Sequence, residues 1–238
     1  MIQWRYAESV SARTTARRAT AGLGKLGGIM SVSEDSTVQP AVQPAVTLSP
    51  IADPGPLGLA AFALTTFLLS AANAHWMSAA TGDAWLGYAL AYGGLCQLLA
   101  GMWEFRNRNV FGATAFSTYG GFWIGLFLWA RFVAPSASSA SAANHDIAWI
   151  LLAFAIFNTY MLIMSTQVSL AVFAVFLTLE LTEIVLFIGN FDGNTTIVKI
   201  GGIIGVITAL CAWYTSLAGV SAGMGGKIRF PVGKPLIS

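Results

Sequence analysis

Apolar residues are gathered into six long runs separated by short polar stretches. The runs cover Leu57–Trp76, Ala84–Trp103, Ala115–Val133, Ile147–Met164, Leu170–Ile188 and Ile197–Gly219. Each is close to the ~20 residues that an α-helix needs to cross ~30 Å of hydrocarbon. The runs are continuously apolar rather than alternating, which excludes the strands of a membrane β-barrel. Lengths this regular also disfavour a soluble helical bundle. The pattern predicts an all-α integral membrane protein of six transmembrane helices. The first run has the clearest start: Pro54 and Pro56 precede Leu57 and Gly58, and Asp53 stands just upstream. Proline suits a first helical turn, where its missing N–H has no partner to lose, and a carboxylate there favours the positive end of the helix dipole.

The flanks differ from the centre. Residues 1–50 are rich in Ala, Ser, Thr, Val and Arg and hold no long apolar run, so a disordered tail is expected. The Arg17-Arg18 pair is not followed by the apolar stretch that a signal peptide requires. The repeat QPAVQPAV reads as a short extended linker, and MSVSEDS from Met30 reads as an ordinary translation start, which suggests that residues 1–29 are not expressed. The expected organisation is a tail over 1–50, a six-helix domain over 51–220 and a short tail over 221–238.

Composition strengthens the membrane reading. Of 238 residues, 56% are hydrophobic and 9% charged, against about 25% charged in a typical soluble domain. The net charge of +2 conceals an uneven spread. Arg5, Arg13, Arg17, Arg18 and Lys25 lie in the N-terminal tail, Arg106 and Arg108 after the second run, and Lys227, Arg229 and Lys234 at the C-terminus. The opposite connections hold only Arg131 and Lys199. Basic residues mark cytoplasmic loops, so both termini are expected in the cytoplasm. Trp76, Trp85, Trp103 and Trp149 fall near run ends, where an aromatic belt would place them.

Candidate chemistry is confined to polar residues within apolar runs, where each is costly. Cys96 and Cys211 lie in apolar surroundings and form no disulfide framework, and His75 and His145 lack metal-ligand spacing. No nucleophile–base pair, phosphate loop or cofactor motif is evident, so neither an enzyme nor a nucleic-acid binder is expected. Thr66, Ser70 and Asn73 share one face of the first helix. Gln97 lies mid-run in the second, with Glu104 on the same face near its end, beside Arg106 and Arg108 as ion-pair partners. Glu180 and Glu183 are the least expected residues: two carboxylates three apart in the fifth run are candidate proton carriers.

Two stretches carry a resemblance. One is Pro54 to Phe62, PGPLGLAAF; the other, Tyr92 to Trp123, is YGGLCQLLAGMWEFRNRNVFGATAFSTYGGFW. Together they closely resemble the acetate uptake transporter family, the YaaH/SatP-like small membrane proteins, over roughly Asp53 to Gly219. The resemblance implies uptake of acetate and related short carboxylates, succinate among them, across the cytoplasmic membrane, by a channel or with protons. It also implies six helices per subunit, a homo-hexamer with a pore in each subunit, and an apolar constriction at Phe62, Tyr119 and Leu179. Pro54, Pro56, Leu57 and Gly58 then belong to the mouth motif, and Thr66, Asn73, Gln97 and Thr114 to a polar path. Two departures stand out: Asp53 replaces the family's asparagine, and Glu180 and Glu183 stand where relatives more often carry apolar residues or threonine. The long basic tail and these glutamates leave a second reading, a membrane sensor or scaffold that has lost transport.

Overall fold

In a computed structural model of the chain, residues 51–77 and 82–237 are described. The expected tail over 1–50, the QPAV linker and the Met30 start lie outside them. The described residues form α-helices α1 (Gly55–Asn73), α2 (Trp85–Leu90), α3 (Gln97–Arg106), α4 (Val110–Leu128), α5 (Ala140–Ser165), α6 (Leu170–Phe191) and α7 (Thr195–Gly223), with no strand among them. Gly55–Asn73, Ala140–Ser165, Leu170–Phe191 and Thr195–Gly223 are each long and apolar enough to cross a membrane. The chain is a multi-pass membrane protein.

Helix starts follow local chemistry. Asn109, Ser139, Ser169 and Asn194 each turn a side-chain oxygen onto an orphan N–H of the helix that follows. At α1 the carboxylate of Asp53 accepts from Gly55 N at 2.9 Å, and proline occupies the first turn. Helix α2 runs without a break in helical dihedrals through a π-helical segment, Ala91–Cys96, into α3. A π turn disturbs the usual carbonyl pairing, and in lipid a stray carbonyl is expensive. Thr65 of α1 answers it: its hydroxyl donates to Ala61 O at 3.1 Å and reaches Tyr88 O at 3.4 Å. Gly93 lets α1 come this near, since a side chain there would start 2.8 Å from Thr65 Cβ.

Small residues close the packing. Helices α1 and α7 lie antiparallel along their length. At one end Ser216 Oγ donates to Pro56 O at 2.6 Å; at the other a Cβ on Gly202 would lie 2.5 Å from Ala74 N. Gly58 packs face-on against the Phe116 ring and fixes α1 to α4. Gly120 meets the Leu98 backbone and fixes α4 to α3. The core is aromatic, centred on Phe62, Tyr119 and Phe176. Trp76, Trp103 and Trp149 are exposed as the pattern predicts, whereas Trp85 is buried against Trp123 and Leu126.

Candidate functional site

Helices α1, α4 and α6 start at the same end of the bundle and line one path in the same order. A cavity of about 340 Å³ is lined by Pro56 and Leu59 of α1, Phe111 and Ala115 of α4, and Val172 and Phe176 of α6. A second cavity, of about 40 Å³, is lined by Thr66, Ser70 and Asn73 of α1, Phe122 and Trp123 of α4, and Thr182, Glu183 and Leu186 of α6. Phe62, Tyr119 and Leu179 line both cavities, one residue from each helix. All three are buried, and the Phe62 ring meets Tyr119 edge to face at 5.7 Å. Phe122, Phe154 and Phe157 surround Tyr119 on its other sides. This is a short apolar girdle between two chambers.

Polar groups sit behind and beside the girdle. The Tyr119 hydroxyl donates to Asn158 Oδ1 at 3.0 Å and to Glu183 Oε1 at 3.2 Å, a forked bond from one proton. Asn158, fully buried on α5, spends both its amide protons on α6: on Phe176 O at 2.9 Å and Glu180 Oε2 at 2.7 Å. Thr159 donates to the other Glu180 oxygen at 2.9 Å. One network thus ties Tyr119, Asn158, Thr159, Glu180 and Glu183 together across α4, α5 and α6. Four cavity-lining residues keep a buried oxygen with no partner among the described residues: Thr66 Oγ1, Gln97 Oε1, Glu104 Oε1 and Glu183 Oε2. Apolar walls with a few unspent polar atoms are what a small-molecule passage presents.

The sequence-predicted residues divide on this geometry. Gln97 and Pro56 line the large cavity, and Thr66 and Asn73 the small one. Thr114 is half-buried and lines neither. Pro54 precedes α1, Leu57 is exposed and Gly58 is a packing contact. Glu183 lines the small cavity, while Glu180 turns to Asn158 and Thr159. The ion pair expected between Glu104 and Arg106 or Arg108 does not form. Glu104 is fully buried under the mouth of the large cavity and accepts from Asn107 Nδ2 at 3.0 Å, because its side chain faces α1 and α4. Asn158 is the residue that sequence reasoning missed. Its signal was present: an amide in the middle of the fourth apolar run.

Comparison with known proteins agrees with this architecture. The chain matches the GPR1/FUN34/yaaH family over residues 35–233. It is 38% identical over 189 residues to accumulation of dyads protein 2 of Saccharomyces cerevisiae, covering 78% of this chain and 66% of that one. It is 37% identical over 211 residues to acetate permease A of Emericella nidulans, covering 82% and 70%. With the succinate-acetate/proton symporter SatP of Escherichia coli K12 it shares 32% identity over 185 residues, 77% of this chain and 96% of the symporter. The chain spans about two thirds of the yeast relative's length. Among solved structures, that of the bacterial acetate channel SatP superposes with a TM-score of 0.70 at 29% identity, over 77% of this chain and 100% of the channel. On the family match across most of its length, and on a fold shared with a solved relative, the chain belongs to the GPR1/FUN34/yaaH family.

Proposed function

We propose that the protein carries acetate and related short-chain carboxylates, succinate among them, across the cell membrane through the path lined by α1, α4 and α6. The observation that carries this reading is the girdle of Phe62, Tyr119 and Leu179 shared by the two cavities. An apolar waist excludes hydrated ions and gates by dewetting. A carboxylate crossing it must shed water, at a cost that is prohibitive for a bare anion without replacement partners. Gln97 stands on the large-cavity side of the waist and Thr66 and Glu183 on the other, each with an unspent buried oxygen. Those oxygens are acceptors or rotatable hydroxyls, which suits a substrate that brings its own proton. Glu183, bonded to Tyr119 at the waist, is the carboxylate placed to exchange that proton. Glu180 supports it through Asn158.

In this reading α1, the rod from α2 through α3, α4, α5, α6 and α7 make six crossings. An even number puts both termini on one side, and the distribution of basic residues makes that side the cytoplasm. Large apolar residues such as Ile156, Leu210 and Phe132 are exposed on the outer helix faces. They meet lipid or sister subunits, and a homo-hexamer with a separate path in each subunit is the assembly proposed. Uptake of labelled acetate into proteoliposomes tests the function. Uptake above that of empty vesicles is expected across the weakly acidic to neutral range. Its absence there, from well-folded protein, would leave a sensor or scaffold in its place.

A further inference from the structure

One wall of the large cavity comes from the residues that follow the last helix. Helix α7 ends at Gly223, and the chain turns back across the end of the bundle with Gly225 at φ +65°. Its return is fastened by main-chain bonds. Val232 O accepts from Ala171 N at 2.8 Å, and Thr166 O accepts from Leu236 N at 2.7 Å and Ile237 N at 3.2 Å. The first of these serves an N–H in the opening turn of α6, which has no partner within its own helix. Tyr214 adds a side-chain tether: its hydroxyl donates to Pro231 O at 2.6 Å, and its ring meets Phe230 edge to face at 6.3 Å. Gly233 holds φ +74° against α6, where a Cβ would fall 2.6 Å from Leu170 Cβ. Held between these fastenings, Phe230 and Val232 line the large cavity beside Pro56 and Val168. Phe230 is half-buried in a segment whose other residues are exposed.

We infer that this C-terminal strap is a size filter for the transport path, with Phe230 its specificity-determining side chain. The inference rests on the carboxylate-transport reading above. The girdle sets what can cross, and the strap sets what can pass between the girdle and the cytoplasmic mouth. A carboxylate longer than acetate must pass the Phe230 ring, so discrimination against it is built partly at the mouth and not only at the waist.

The test is the ratio of succinate to acetate uptake by proteoliposomes, each corrected for empty vesicles. Phe230→Ala should raise that ratio on the order of tenfold, the discrimination that one or two methylenes provide in a pocket. Phe230→Leu, which keeps bulk, should stay near the wild-type ratio. Tyr214→Phe lies outside the cavity lining, keeps the fold's apolar contacts and removes the tether to Pro231. It should move the ratio in the same direction, and it decides the matter if Phe230→Ala fails to assemble. Ratios unchanged in both variants, with wild-type acetate uptake intact, would overturn the strap and leave the transport reading standing. Wild-type protein without uptake would overturn both.

Discussion

Replacing Asn158 with alanine removes one acceptor and two donors from the middle of the membrane at a single stroke. The side chain makes three bonds: one from Tyr119, one to Phe176 O and one to Glu180. Polar contacts between membrane helices average about 0.6 kcal/mol each and reach about 1.7. The average is the better guide here because no partner is orphaned. Tyr119 keeps Glu183 at 3.2 Å, Glu180 keeps Thr159 at 2.9 Å, and Phe176 O belongs to a regular turn of α6. The expected loss is therefore about 2 kcal/mol. Denaturant unfolding in detergent, followed by fluorescence of the tryptophans, measures it. A cycle with Tyr119→Phe isolates the single bond between the two residues, and a coupling near 0.6 kcal/mol is expected. An Asn158→Ala protein within about 0.5 kcal/mol of wild type, or a pair additive to within about 0.3 kcal/mol, would refute the network as a source of stability.

Phe62→Ala and Tyr119→Ala should change the acetate-to-succinate flux ratio more than they change assembly, and size exclusion beside the flux assay separates the two effects. Glu183→Gln should alter the pH dependence of uptake compared at fixed undissociated acetic acid. If Glu180→Gln and Glu183→Gln both superimpose on wild type, the pair is structural and carries no proton. Gly202→Leu should destabilise the α1–α7 contact by about 1–3 kcal/mol or more, since its Cβ would meet the Ala74 and Ser70 backbone rather than a movable side chain. Unfolding measurements equal to wild type would show that the two helices are not held at that distance.

How much of this was readable in the sequence depends on whether the signal is a pattern or a meeting. Run lengths and prolines are patterns, and the helices α1 and α4 to α7 lie where the apolar runs place them. The girdle came from motif resemblance, since nothing in the spacing of Phe62, Tyr119 and Leu179 says that three helices bring them to one depth. Glu180 and Glu183 were legible as unusual but not as divided. Three residues advance a helix by about 300°, so the two side chains lie about 60° apart and reach different neighbours. The π segment around Gly93 and Gly94 leaves no such pattern, and the threonine that reaches its first turn comes from another helix. The strap reads as a plain tail in sequence because most of its fastenings are main-chain bonds, at Thr166 and Ala171, and those leave little trace in residue type. Asn158 was missed for a simpler reason: an uncharged amide is less conspicuous than a carboxylate, although it makes more of the contacts.

The narrowness of the second chamber bears on how a cell keeps its membrane charged. Protons travel through proteins by hopping along unbroken files of water. A space of about 40 Å³ holds only a few waters, and the apolar girdle separates it from the wider chamber. The girdle thus interrupts a file of water between the two chambers. The link that remains across the waist is the Tyr119 hydroxyl and its bond to Glu183, a relay of side chains rather than of solvent. In a passage built this way, a proton crosses the waist on the substrate or through that bond, not along water.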